Sequence, residues 1–174
     1  MHKRILRLPG KMRGQFGRNY EKLSFKYALW GFVSGTLAIL AILAVTKMAG
    51  FPLLIGSFGA SAVLLFGADG SQLAQPRNLV GGHMISAGVA TLIVAAGGSG
   101  SAAVALAVGI SIFLMYLTRT IHPPGGATAL IGVQGQAGFS FLLVPVLLGV
   151  LLLLAVALFT NNIVHHRQYP KQWL

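Results

Sequence analysis

Acidic side chains are almost absent from this chain, whose 174 residues include only two, Glu21 and Asp69. Of the thirteen Lys and Arg residues, eight fall within the first 26 positions, and the rest of the sequence is largely apolar. Soluble domains are roughly a quarter charged, against 9% here, and disordered chains lack this hydrophobicity. The distribution indicates an integral membrane protein and argues against a basic surface that binds nucleic acid.

Six apolar segments follow the basic N-terminus. A membrane-spanning helix needs about 20 apolar residues, and four segments approach or reach that length: 27–46, 79–96, 102–117 and 141–160. The two shorter segments, 52–68 and 121–134, are interrupted by glycine or proline. We therefore predict an all-α membrane protein with four long transmembrane helices and two broken or half helices. The predicted divisions are a basic N-terminal segment 1–26, one transmembrane domain 27–160 and a polar tail 161–174.

The N-terminal 26 residues contain no apolar run of their own, so we expect the first span to be a retained anchor rather than a cleaved signal peptide. An organelle transit peptide, which is Arg-rich and acid-poor, is the alternative. The chain has no cysteine and therefore no disulfide framework or thiolate metal site.

The two interrupted segments resemble each other. The sequence G-A-S-A-V-L at 59–64 matches G-A-T-A-L-I at 126–131, and each copy lies between two long spans. This equivalence predicts two three-segment halves, about 20–97 and 101–166. Chance is the alternative, because short strings of small residues are common in membrane helices.

The positive charges predict the topology. If all six segments cross, twelve basic residues lie on one side and only Lys47 lies on the other, as the positive-inside rule requires. If the interrupted segments were re-entrant, Arg77 and Arg119 would move to the opposite side. We therefore predict six crossings in a bacterial inner membrane, with both termini cytoplasmic. Three crossings per half make the halves a 3+3 inverted repeat, as in many secondary transporters.

The interrupted segments are expected to contain half helices that begin near Gly59 and Gly126 and enter from opposite faces. Proline disfavours helix in the residue before it, so His122 is predicted to be extended. A helix N-terminus offers unpaired N–H groups and a positive dipole end, which suit an anion. Ser61 and Thr128 add hydroxyl donors, and no span contains a carboxylate. The alternative is that these small residues serve close helix packing.

The predicted anion site draws on both interrupted segments. Its candidate residues are Ser57, Gly59, Ala60, Ser61, His122, Gly125, Gly126, Ala127 and Thr128. Three further residues, Arg77, His83 and Arg119, are candidates for gating or for attracting the anion. Snorkelling anchors would equally explain the two arginines, and a bond to a neighbouring carbonyl would explain His83. Histidine titrates near neutrality, so His83 and His122 are also candidates for proton coupling.

Catalytic groups are not evident. The sequence has no Ser-His-Asp set, phosphate-binding loop or carboxylate pair, so we predict neither an enzyme nor a bound cofactor. The adjacent His165 and His166 have no third ligand in view, and no metal site is predicted.

At His122-Pro123-Pro124 and the following Gly-Gly-Ala-Thr-Ala-Leu, the sequence resembles the HPP family of integral membrane proteins. The resemblance extends to the 56–66 string, to Q-P-R-N at 75–78 and to G-G-H at 81–83. It implies four membrane helices, and because plastid and cyanobacterial members are associated with nitrite transport, it implies a nitrite-like monovalent anion here.

The sequence thus predicts transport of a small inorganic anion, with nitrite favoured, through a midplane site formed by two half-helix N-termini. The alternative is a non-transporting membrane scaffold or sensor with a structural anion or lipid site. The expected partners are the anion and the lipid bilayer, and the small-residue helix faces leave a homo-oligomer open.

Overall fold

The computed structural model describes residues 24–50, 52, 54–165 and 167–174. These residues form six α-helices and no strand. The helices are α1 (Phe25–Ala49), α2 (Gly56–Gly67), α3 (Pro76–Ala95), α4 (Gly100–Leu117), α5 (Pro123–Gln134) and α6 (Leu148–Ile163), with a 3-10 turn at Gln72–Ala74 and a π-helical turn at Leu142–Leu147. Most of the predicted N-terminal segment 1–26 lies outside the described residues, as does His166.

Four of these elements are long and apolar enough to cross a membrane: Phe25–Met48, Pro76–Ala95, Gly100–Leu117 and Leu142–Ile163. The prediction of an all-helical membrane protein with four long spans is confirmed. Local sequence explains their ends: the Ser24 hydroxyl accepts the Tyr27 N–H, and Gly50 ends α1 in the left-handed conformation that glycine adopts readily.

The two short helices, α2 and α5, have 12 residues each. At 1.5 Å per residue each is about 18 Å long, well short of a hydrocarbon core of about 30 Å. Both begin three residues earlier than predicted, at Gly56 and Pro123. The prediction placed the prolines before the helix, but Pro123 and Pro124 occupy its first turn, where their missing N–H groups are not needed.

Helix α5 packs between α3 and α4, and α2 packs against α1, α5 and α6. Glycine brings α3 and α5 together. A Cβ atom on Gly125 would lie 2.8 Å from the Gly82 carbonyl oxygen, and one on Gly132 would lie 2.6 Å from the Ala90 Cβ. Close approach of this kind is how membrane helices gain packing contact without a large hydrophobic driving force.

The described basic residues are distributed unequally between the two ends of the helix bundle. The ends of the helices place Lys26, Arg77, Arg119, Arg167 and Lys171 at one end, which we call the basic end. Lys47, in the last turn of α1, lies at the other. The described part of the chain therefore carries five basic residues at one end of the bundle and one at the other.

The C-terminal tail folds back onto the basic end. The buried Arg167 donates to the carbonyl oxygens of Phe66 and Tyr27 and lies 3.5 Å from Asp69. Tyr169 is 1% exposed, and its hydroxyl donates to the Ala74 carbonyl at 2.8 Å. The tail therefore holds the loop between α2 and α3, an arrangement that its polar composition did not predict.

We expect Tyr169→Phe to lower the free energy of unfolding by about 1 kcal/mol, because the buried Ala74 carbonyl loses its donor. Burial raises the pKa of Tyr169, so the stability that this neutral hydroxyl contributes should begin to fall once the pH exceeds the ordinary tyrosine pKa of about 10. Thermal unfolding in detergent measures the change. Tyr116→Phe, at a side chain 74% exposed on α4, is the matched control. Equal stability of the two variants would contradict the assignment.

Candidate functional site

Helices α2 and α5 lie side by side and antiparallel, so their N-terminal halves overlap. Ser57, in the first turn of α2, meets Thr128, in the second turn of α5, with 2.8 Å between the hydroxyl oxygens. One turn further along α2, the Ser61 hydroxyl lies 2.9 Å from Nε2 of His122, which caps α5. The two interrupted segments therefore meet along their flanks rather than tip to tip.

His83 of α3 joins the two short helices. Its Nε2 lies 2.8 Å from the Ser61 hydroxyl, and its Nδ1 lies 2.7 Å from the Thr128 hydroxyl. Ser61 and Thr128 occupy the same position in the two matching strings, so each ring nitrogen binds one member of an equivalent pair. We call Ser57, Ser61, His83, His122 and Thr128 the histidine network; each side chain is 0–1% exposed.

His122 connects the histidine network to the basic end. Its Nδ1 lies 2.8 Å from the Leu73 carbonyl oxygen in the 3-10 turn, and its ring centroid lies 4.9 Å from that of His83. The close packing requires a glycine at position 82, because a Cβ there would overlap the Cβ of His122. The hydrogen bond from the Tyr169 hydroxyl, in the C-terminal tail, to the carbonyl of Ala74 supports the residue that follows Leu73 in this turn.

Side chains rather than backbone amides supply the donors of the site. Pro123 and Pro124 have no N–H, and the Gly125 N–H donates to the His122 carbonyl at 2.8 Å. The early start of both helices also places Gly59 to Ser61 and Gly126 to Thr128 beyond the first turn, where amides bond within the helix. The positive ends of the two helix dipoles still flank the histidine network.

Ser86 is a further polar residue at this place. It is fully buried one turn after His83, and its hydroxyl finds no hydrogen-bond partner within the described ranges. A Cβ on Gly125 would lie 2.9 Å from its Oγ, so Ser86 faces the first turn of α5. Ser86 was not predicted as a site residue, and its spacing of three residues from His83 is the one signal in the sequence that could have indicated it.

The remaining predicted residues lie around this centre. Gly59 and Ala60 are exposed on the outer face of α2, and Gly125 packs against α3. Gly126 and Ala127 are half-buried. His83, which was predicted as a gating or anion-attracting residue, stands inside the histidine network.

The family model for the HPP transmembrane region matches residues 20–170. The chain belongs to this family. Two Dictyostelium discoideum proteins, each described as a transmembrane protein, are similar to this HPP protein. One is 51% identical over 69% of the chain and 45% of its own length, and the other is 46% identical over 83% and 50%. The chain thus spans about half the length of these curated relatives. No solved structure matches it.

Two arginines stand at the basic end of this HPP protein. Arg77 is exposed and donates to the Thr118 carbonyl at 2.9 Å. Arg119 is also exposed, at a positive φ of 57° just after α4. Neither contacts the histidine network. In the part of the chain that the structure describes, no three His, Asp, Glu or Cys residues lie together as a metal site would require.

A cavity of about 1390 Å³ opens between α1 and α2. Glycines 31 and 35 and the side chains of Ala62, Val63 and Arg167 are among the residues that line it. None of the network residues does. In this conformation the histidine network is therefore a closed, hydrogen-bonded cluster on the opposite face of α2.

Proposed function

We propose that this HPP protein transports a small inorganic anion, with nitrite as the first anion to test. The observation that carries the proposal is the convergence of Ser61 and Thr128, from two antiparallel half helices, on His83. We further propose that the two halves form an inverted repeat, because the pair occupies equivalent positions in segments of opposite direction. Such helix breaks near the midplane are a common basis for transporter sites.

The chemistry of the site supports a small monovalent anion. Three hydroxyls and two imidazoles offer O–H and N–H donors, and the two helix dipoles present their positive ends. None of the six helices contains an acidic side chain that would compete for those donors. An oxyanion of two or three oxygens suits donors that approach from several directions, whereas a cation finds no negative ligand here.

We propose that the basic end faces the cytoplasm of a bacterial inner membrane, with both termini on that side. The support is the charge asymmetry, since five described basic residues lie at this end and Lys47 alone at the other. Arg77 and Arg119 would then raise the anion concentration at the cytoplasmic mouth, and would do so less at high salt.

One observation favours the alternative, a scaffold or sensor that does not transport. The polar atoms of the histidine network bind one another, as in a structural cluster whose members rigidify a membrane bundle. A transported anion would enter only if the histidine network opened, so a measurement of anion flux separates transport from a structural role.

Purified protein in liposomes distinguishes the two functions. We expect uptake of nitrite well above that of protein-free liposomes, with nitrate, formate and chloride as comparison anions. An absence of flux for all four anions, under gradients imposed in both directions, would favour the scaffold.

We expect Ser86→Ala to stabilise the protein by about 1 kcal/mol, because it removes a buried hydroxyl that lacks a partner. The same change should raise the KM for the anion several-fold, since an opened site loses a donor. Ser34→Ala is the matched control. Ser34 is also fully buried, its hydroxyl has no partner among the described residues, and it lies on α1. Unfolding and uptake are measured together, and an unchanged KM in Ser86→Ala would remove Ser86 from the site.

A further inference from the structure

The contact of His122 with a carbonyl gives the histidine network a direction. The Leu73 oxygen can only accept, so Nδ1 of His122 carries a hydrogen. In the neutral ring Nε2 is then an acceptor and takes the Ser61 hydroxyl hydrogen. The Ser61 oxygen in turn accepts from Nε2 of His83.

The far end of the histidine network is Ser57. With its hydrogen on Nε2, His83 can only accept at Nδ1, and Thr128 would have to donate to it. The Thr128 hydroxyl, however, donates its one hydrogen to Ser57, 2.8 Å away. When both rings are neutral, the five contacts from Ser57 to the Leu73 carbonyl are therefore one hydrogen short.

One added proton supplies the missing hydrogen. On Nε2 of His122 it makes that nitrogen a donor to Ser61, whose hydroxyl turns to His83. His83 passes to its Nδ1–H tautomer and donates to Thr128, which keeps its hydrogen bond to Ser57. Each of the five contacts then holds one hydrogen, the number of protons rises by one, and the positive charge resides on imidazole.

Within the described part of the chain, the surroundings leave the proton as the only countercharge for an anion at this place. Helices α2, α5 and α6 carry no charged residue within their spans. Arg77, Arg119 and both described lysines of α1 are exposed at the ends, and Asp69 lies beside Arg167. Tyr169, bonded to the 3-10 turn, is a neutral donor. Among the residues that the structure describes, His83 and His122 are thus the only groups in contact with the site that are able to become positive.

We propose that the histidine network binds one proton together with each anion, so that this HPP protein is a proton–anion symporter; the inference rests on the proposed function. A buried imidazolium without an anion is costly, as is a buried anion without a cation, so each favours binding of the other. The cotransported pair carries no net charge across the apolar interior.

The test uses wild-type protein in liposomes whose membrane voltage is held at zero with potassium and valinomycin. Nitrite is the probe, nitrate controls for permeation of free nitrous acid, and the flux of protein-free liposomes is subtracted. We expect protein-dependent accumulation of about tenfold per pH unit when the interior is alkaline. Uptake that follows an imposed voltage and ignores the pH gradient would overturn the symport while leaving anion transport in place. An absence of protein-dependent flux would overturn both.

A variant pair assigns the proton to the network. His122→Gln keeps one donor and one acceptor but gains no proton near neutral pH, so the accumulation driven by the pH gradient should be lost. His165→Gln changes an exposed tail histidine and should behave as wild type. A folded His122→Gln variant that still accumulates tenfold per pH unit would refute the assignment.

Discussion

Gly82→Ala is expected to reduce the free energy of unfolding by about 1–3 kcal/mol, since overfilling a packed interior forces a shift of the backbone or neighbouring side chains. A Cβ at this position would overlap the His122 Cβ and lie 3.1 Å from the Thr120 carbonyl oxygen. Both neighbours belong to the segment just before α5. They are a Cβ atom and a backbone oxygen, so neither is the free end of a flexible side chain that could move aside. The same shift would separate His122 from Ser61, so transport should fall together with stability.

Gly88→Ala is the control for that substitution. Gly88 lies on the same helix, and a Cβ there would meet nothing within 4 Å. Alanine is the better helix former by about 1 kcal/mol, so this variant should be neutral or more stable. Reversible unfolding of both variants in detergent measures the difference. If Gly82→Ala were as stable as Gly88→Ala, the close contact between α3 and α5 would be refuted.

The double variant Ser61→Ala with Thr128→Ala is expected to reduce anion uptake by at least about 100-fold. Each hydroxyl that donates to a charged ligand contributes about 1.5–3 kcal/mol, and 1.4 kcal/mol is a factor of ten. Both ring nitrogens of His83 also lose their partners, which disturbs the orientation of the ring. Uptake into liposomes, at equal amounts of folded protein, gives the comparison.

Ser111→Ala provides the matched control for the double variant. Ser111 is fully buried in α4 and donates to the Ala107 carbonyl of its own helix at 2.7 Å. Its loss should leave uptake unchanged. Wild-type uptake by a folded double variant would show that the paired hydroxyls are not the anion site.

The overall architecture was predictable because hydropathy and charge act over many residues. Four spans of 18 to 24 residues and one almost acid-free interior leave few alternatives to a helical membrane bundle. The matching strings at 59–64 and 126–131 also identified Ser61 and Thr128 as an equivalent pair. Their convergence on one ring was not predictable, since nothing in either string specifies the third helix, whose His83 contacts both hydroxyls.

The details of the site depended on contacts that sequence does not encode locally. The paired prolines after His122 were predicted to precede the helix, although the first turn of a helix accepts them. The position of His83 followed from Gly82 and Gly125, which let α3 and α5 approach each other. Tyr169 was missed because its role depends on a hydrogen bond between distant parts of the chain. Leu73 was missed because it acts through its backbone carbonyl, which any residue type would supply.

The most direct measurement of the central claim is a structure of the protein determined with bromide, whose anomalous scattering locates the anion. We predict a bromide ion between α2 and α5, within hydrogen-bond distance of the Ser61 or Thr128 hydroxyl and next to His83. The peak should disappear in the double variant of those hydroxyls. Bromide found only beside Arg77 and Arg119, with the histidine network closed and unoccupied, would contradict the account.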